Sequence, residues 1–113
     1  MKFSRGDIVV ADFPFTAMTD FKKRPCVVLA QSDTPDDYIV AFISSSSDAR
    51  SLPSAVSVLP THKEWDKTGL RAACVIRPDK LMTLHTSLIA GKIGNLPEDR
   101  IAELKEKLAG LLL

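Results

Sequence analysis

The chain opens on an alternating pattern. In "DIVVADF", residues 7–13, Val9, Ala11 and Phe13 fall on one side and Ile8, Val10 and Asp12 on the other. That is the period of a half-buried strand, punctuated by Gly6 before it and Pro14 after it. Residues 15–23 read as a polar loop of mixed character. "CVVLA", 26–30, is continuously apolar and rich in β-branching, as a strand covered on both faces requires. "SDTPDD" supplies turn chemistry through its short polar side chains and its proline. "YIVAFI", 38–43, is a third strand, and the "SSSSDARSLPS" after it is too small and polar to pack. "AVSVL", 55–59, alternates again. "THKEWDKTG" holds one short helical turn before Gly69, "RAACVIR", 71–77, is a fifth strand, and "KLMTLH" and "SLIAGKIG" add further strand.

After Pro97 the period changes. Ile101, Leu104, Leu108, Leu111 and Leu112 recur three and four apart, one face of an amphipathic helix. Proline suits the first helical position, where its missing N–H is no loss. Glu98 and Asp99 stand where the helix dipole favours anions, and Glu103 and Lys107 form a supporting i,i+4 pair. Five or more short strands and one terminal helix predict a mainly β domain, a small partly closed barrel or twisted sheet covered by that helix. The terminal "GLLL" reads as helix packing first, with a subunit or partner contact as the alternative.

Composition narrows the functions without choosing one. At 113 residues the chain predicts one domain, 1–113, with room for one core but not for a deep internal cavity. A substrate would bind in a surface groove or at a subunit interface. Fifteen Lys and Arg against fourteen Asp and Glu leave a formal charge of +1, which argues against broad nucleic-acid coating and permits a local basic patch. Cys26 and Cys74 both lie in apolar runs and read as buried free thiols. No Cys/His cluster suggests a metal. His62 and His85 stand alone and read as surface or structural residues. No leader and no stretch of the roughly 18–20 apolar residues of a membrane helix is expected. The reading is a soluble cytoplasmic protein, with no metal or other cofactor implied.

"KKRP" raises a sharper question, because Lys22, Lys23 and Arg24 lie directly against an apolar strand. They are either a solvated approach to that strand or a cationic lip mounted on it. Taken in order, "RGDIVVADFPFT" (5–16), "KRPCVVL" (23–29), "VAFISS" (40–45), "VIRPDKLMTL" (75–84) and the terminal amphipathic helix resemble the MazF/PemK family of type II toxin–antitoxin endoribonucleases. The resemblance spans nearly the whole chain. It implies a small SH3-like barrel of about five to seven strands with a C-terminal helix, a homodimer, and cleavage of single-stranded RNA without metal. Silencing by a cognate antitoxin is implied as well. The implied chemistry is attack by the RNA's own 2′-OH, leaving a 2′,3′-cyclic phosphate and a 5′-OH. That needs a proton acceptor, cationic stabilisation of the phosphorane and a proton donor.

Carried over residue by residue, the resemblance makes Arg24 of "RP" the catalytic arginine. A guanidinium holds two phosphate oxygens and stays charged at any working pH, and Pro25 biases Arg24 towards extended backbone. The family's hydroxyl residue after the third strand, usually threonine, falls on Ser44, with Ser45 beside it. A serine run is equally a plain loop. Arg77 and Asp79 match an "R-x-D" block with catalytic roles, Asp79 as candidate base and Arg77 as phosphate stabiliser or acid. Their alternative is a mutual surface ion pair of little stabilising value.

The loop before "RP" departs from the family. It commonly carries glycines and a Glu-Gln pair, whereas "AMTDFKKRP" has no glycine, glutamate or histidine. Thr19, Asp20, Phe21, Lys22 and Lys23, with Ser45, are the residues expected to meet RNA, Phe21 by stacking or as a loop anchor and the lysines at phosphates. The departure bears on cleavage rate and target sequence more than on fold. A rival expectation is a non-catalytic protein on the same barrel, either a degenerate antitoxin partner or a gyrase-directed poison like the CcdB relatives. The latter rely on a C-terminal aromatic residue, and this chain ends "AGLLL".

Overall fold

The structure is a computed structural model that describes residues 2–14 and 21–113, apart from the side chains of 13, 14, 21 and 22. Six strands, β1 (Asp7–Pro14), β2 (Phe21–Gln31), β3 (Asp37–Ser44), β4 (Val56–Val58), β5 (Cys74–His85) and β6 (Ile89–Asn95), precede helix α1 (Glu98–Leu112). All pair antiparallel in one sheet of order β4-β5-β3-β2-β1-β6. The expected mainly β architecture with a C-terminal helix is what forms. The barrel, however, does not close, because β4 and β6 stand at opposite ends of the order.

Both faces of the central strands are buried. Val9, Ala11, Cys26, Val28, Tyr38, Val40, Leu84 and Ile89 build one cluster with Phe3. Phe3 meets Tyr38 edge to face at 5.4 Å, and its backbone N–H donates to the Tyr38 hydroxyl at 3.1 Å. Ile8, Val27, Ala41, Ile43, Val56, Ile76 and Leu104 build the other cluster, under α1. The alternation of β1 holds from Val9 to Asp12, where Val9 and Ala11 are buried and Val10 and Asp12 only partly covered; it fails at Ile8, which is fully covered because α1 seals that end of the second face. "CVVLA" is covered on both faces as its composition requires, with Cys26, Val27 and Val28 all fully buried.

Several expected boundaries shift. β2 starts at Phe21, so Lys22, Lys23 and Arg24 belong to the strand and not to a loop leading into it. Thr19 and Asp20 lie outside the described residues. "RAACVIR" and "KLMTLH" belong to one strand, β5, which starts at Cys74. Its register jumps from Phe42↔Arg77 to Ala41↔Leu81, so Pro78, Asp79 and Lys80 bulge out of the ladder. Proline, with no N–H to give, sits easily in such a bulge. The short turn in "THKEWDKTG" is a 3-10 helix, Trp65–Lys67.

α1 docks through Ile101, Leu104 and Leu108. Its last turn does not pack: Leu111 and Leu112 are 46% and 59% exposed. Fifteen residues span about 22 Å, and the helix side chains packed on the core end at Leu108. The expected Glu103–Lys107 pair also gives way. Glu103 binds Arg100 at 2.7 Å, while Lys107 donates to the Pro53 carbonyl at 2.9 Å and ties the helix to the segment before β4. Among the described residues no helix is long and apolar enough to cross a membrane.

Candidate functional site

Two grooves meet at one arginine. The larger, about 430 Å³, takes Lys23, Arg24 and Pro25 from β2, Ile43 and Ser45 from the end of β3, and Leu70 and Arg71 from the segment before β5. The smaller, about 280 Å³, is lined by Arg24, Phe42, Ser44, Ser45 and Ser46. Arg24 and Ser45 belong to both, so they form the rim between an apolar-floored groove and a hydroxyl-rich one. The strand explains this placing. Arg24 lies opposite Ala11 of β1, held in extended backbone by Pro25 and by the buried run from Cys26 to Val28. Cys26 is opposite Phe42, so the Arg24 end of β2 lies beside the serine end of β3.

The serines are not equivalent. The Ser44 Oγ accepts the Ser46 N–H at 3.1 Å, a local turn bond. With that lone pair engaged, the Ser44 hydroxyl is suited to donate its proton into the smaller groove. Ser45 is exposed and reaches both grooves. Lys23 is also exposed and pairs with Asp12 across the β1–β2 ladder at 3.3 Å.

Arg77 and Asp79 touch each other through two bonds. Arg77 Nε donates to Asp79 Oδ1 at 3.1 Å and Nη2 donates to Oδ2 at 2.6 Å. Those hydrogen bonds hold the Asp79 carboxyl below its ordinary range and raise the Arg77 guanidinium. Neither residue lines the two grooves. Phe42 connects them, because it walls the smaller groove, pairs with Arg77 in the sheet and lies under the Lys80 ammonium at 5.8 Å. Arg77 is two strands from β2, about 10 Å across the sheet. The four residues that the sequence singles out as catalytic thus fall into two groups, Arg24 with Ser44 and Arg77 with Asp79.

Of the expected RNA contacts, Lys23 and Ser45 line the grooves. Phe21 and Lys22 are placed only by their backbone in β2, and Thr19 and Asp20 lie outside the described residues. Sequence reasoning missed Phe42, Lys80 and above all Arg71, which follows directly on the Gly69-Leu70 turn. A cation straight after a tight turn, before an apolar strand, repeats the logic of "KKRP" and was the available signal. His62 Nδ1 accepts the Glu64 N–H at 2.9 Å, which leaves Nε2–H to donate to Asp99 at 2.9 Å. His85 Nδ1 accepts the Ser87 N–H at 3.0 Å. Both histidines lie outside the grooves. Among the described residues no three His, Cys, Asp or Glu side chains group as they would around a metal ion.

Comparison with known proteins places this geometry. No curated protein sequence is significantly similar to the chain. Among solved structures, an endoribonuclease from a mycobacterial species in complex with its cognate antitoxin superposes with a TM-score of 0.72 at 15% identity, covering 96% of this chain and 92% of that one. MazE–MazF from Deinococcus radiodurans gives 0.72 at 24% identity, with 96% and 93% covered. MazF from the same organism gives 0.71 at 26% identity, with 96% and 94% covered. A family model, the PemK-like, MazF-like toxin of type II toxin–antitoxin systems, matches residues 4–112. The chain belongs to that toxin family.

Proposed function

We propose that the protein is a sequence-specific endoribonuclease toxin that cuts single-stranded RNA by attack of the substrate's own 2′-OH, in the cytoplasm, as a homodimer neutralised by a cognate antitoxin. The observation that carries this reading is Arg24 on the rim of two grooves, with hydroxyls on one side, in a chain of this family. In the reaction the O2′–P bond forms and the P–O5′ bond breaks. The 2′-OH proton passes to a base, and the departing 5′-oxygen takes one up. The substrate supplies its own nucleophile, so no metal is needed to generate one.

Arg24 is assigned to the phosphorane. Its fork matches two non-bridging oxygens, and charge that builds there is stabilised most in a partly desolvated groove. Ser44 and Ser45 donate hydroxyl protons to the same oxygens. Asp79 is the candidate base and Arg77 its partner. While Arg77 holds it, Asp79 is a poor base, because both of its oxygens are engaged. A phosphate that draws Arg77 away would remove the cause of the lowered pKa and raise the basicity of Asp79 as substrate arrives.

The test is a mixed-sequence single-stranded RNA incubated in EDTA with wild-type protein and with Arg24→Ala. Discrete fragments ending in 2′,3′-cyclic phosphate are expected from wild type, falling at least about 100-fold in the variant. Intact RNA with folded, antitoxin-free wild type would overturn the reading in favour of a non-catalytic protein on the same fold.

A further inference from the structure

We infer that the larger groove is a base-seating subsite beside the cleaved phosphate, and that Arg71 is a positioning residue for the nucleotide held there. This rests on the RNA-cleaving reading above and extends it to a surface that neither the catalytic arginine nor the serine loop accounts for.

The lining defines the ligand. Val10, Ile43, Leu70, Ala72 and Ile93 make an apolar floor, Lys23, Arg24 and Arg71 supply cations, and no carboxylate lines the groove among the described residues. A phosphate alone has no use for an apolar floor, and an apolar ligand has no use for three cations. A nucleotide of an unpaired strand uses both: its base buries a face against aliphatic surface or a guanidinium plane, and its phosphates meet the rim. The volume of about 430 Å³ lies within the range of small-ligand sites. Because Arg24 lines this groove and the smaller one alike, the base seated here neighbours the phosphate that Arg24 holds.

Among the three cations, Arg71 is placed to discriminate. Lys23 is partly neutralised by Asp12 at 3.3 Å, and Arg24 is shared with the other groove. Arg71 is exposed and comes from an anchored segment. Thr68, fully buried, donates through Oγ1 to the Trp65 carbonyl at 2.7 Å and accepts the Leu70 N–H at 3.1 Å. Gly69 approaches the Ile93 carbonyl of β6 so closely that a Cβ there would come within 2.1 Å of it. A guanidinium carried on so fixed a turn can set the position of a base without ordering a loop first.

The experiment reads binding apart from cleavage. A fluorescein-labelled, fully 2′-O-methylated mixed-sequence RNA cannot be cut, and its affinity is measured over a salt series for wild type, Arg71→Ala and Arg71→Lys. Arg71→Ala is expected to lose about tenfold in affinity and to lower the salt slope by about 0.7, one single-strand phosphate contact. Arg71→Lys should recover the slope but not the full affinity, since the charge returns without the plane. In cleavage, an abasic residue on one side of the mapped cut should raise KM for wild type, and raise it by a smaller factor for Arg71→Ala, which keeps the apolar floor but not the guanidinium. Thermal melts confirm that the exposed substitution leaves the fold intact. Equal affinity and slope for wild type and Arg71→Ala, with cleavage normal, would overturn the subsite and leave the nuclease reading standing. Arg71-dependent binding by a wild type that cuts nothing would uphold the subsite and overturn the nuclease.

Discussion

Gly94→Ala tests how the larger groove is built. Gly94, in β6, faces the segment between β4 and β5. A Cβ at that position would lie 2.3 Å from the carbonyl carbon and oxygen of Thr68 and 2.4 Å from the carbonyl oxygen of Lys67. All three are backbone atoms, so no rotamer change relieves the clash. Ordinary contact begins at 3.4 Å, so the segment must retreat by roughly 1 Å, an overpacking that costs about 1–3 kcal/mol. In a domain of this size that lowers Tm by roughly 4–12 °C. Two other glycines supply controls. Gly91, in the same strand, and Gly110, in α1, have nothing within 4 Å of a built Cβ. Gly91→Ala should melt close to wild type, and Gly110→Ala should gain up to about 1 kcal/mol from helix propensity.

Urea and thermal unfolding by circular dichroism give the three shifts directly. A Gly94→Ala protein that melts with wild type, or no lower than Gly91→Ala, would refute the claim that β6 and residues 67–68 are locked backbone to backbone. The same variant carries a functional corollary. The displaced segment leads into Leu70 and Arg71, so single-stranded RNA affinity should fall at temperatures where the variant is still fully folded, while Gly91→Ala binds as wild type does.

Other outcomes follow from single contacts. Leu104→Ala, at the centre of the helix face and nearly fully buried, should cost about 2–5 kcal/mol, read from urea midpoints. Burial pushes the Cys26 thiol up to about 12 and the Cys74 thiol up to about 11, so at pH 8 neither should react with a thiol reagent until the protein unfolds. Asp79→Asn should destabilise the fold by no more than about 1 kcal/mol at pH 7, since the pair is partly exposed. The sign follows from its lowered folded-state pKa: the contribution is present above the unfolded carboxylate pKa near 4 and is lost as pH falls through the folded value. The gap between wild type and Asp79→Asn should therefore close in acid. A gap that widened in acid would contradict the Arg77 bond as the cause.

What was legible in the sequence was whatever depended on period or on strong local chemistry. The strands of "DIVVADF", "CVVLA" and "YIVAFI" and the terminal helix lie where their apolar spacing puts them, and buried cysteine was readable from its neighbours. What was not legible depended on partners distant in the chain. Nothing local in "DIVVADF" shows that α1 will cover Ile8 on its second face. The start of β2 at Phe21 is set by pairing with Pro14 of β1, which lets polar Lys22 and Lys23 into a strand that their own propensity disfavours. Leu111 and Leu112 obey helical spacing but find no surface beneath them. For the candidate site, Arg24 and Ser44 were reachable from the order of motifs. Arg71 was passed over because "RAACVIR" reads as a continuous strand; Gly69 just before it was the signal of a turn, and its positive φ and close approach to β6 show that the strand begins later, at Cys74.

That turn also explains why the grooves lie where they do. A closed barrel would pair its first and last strands in the order and leave only side chains between them. Here β4 and β6 do not pair, and the connection from β4 to β5 lies against β6 instead, Gly69 on Ile93 and Thr68 on Gly94. It fills the gap with backbone on one side and with Trp65 and Leu70 against the core on the other. Backbone covers such a gap incompletely, and the uncovered remainder, between Leu70, Ile93 and the Arg24 end of β2, is the larger groove. The expected barrel and the observed opening are therefore parts of one solution: the sheet stays open where the larger groove lies, and the connection that covers the opening places Arg71 in its lining. If so, the effects of Gly94→Ala and Arg71→Ala on RNA binding should not add. The first moves the turn that carries the second, and a double variant no weaker in RNA binding than the worse single one is the expected result.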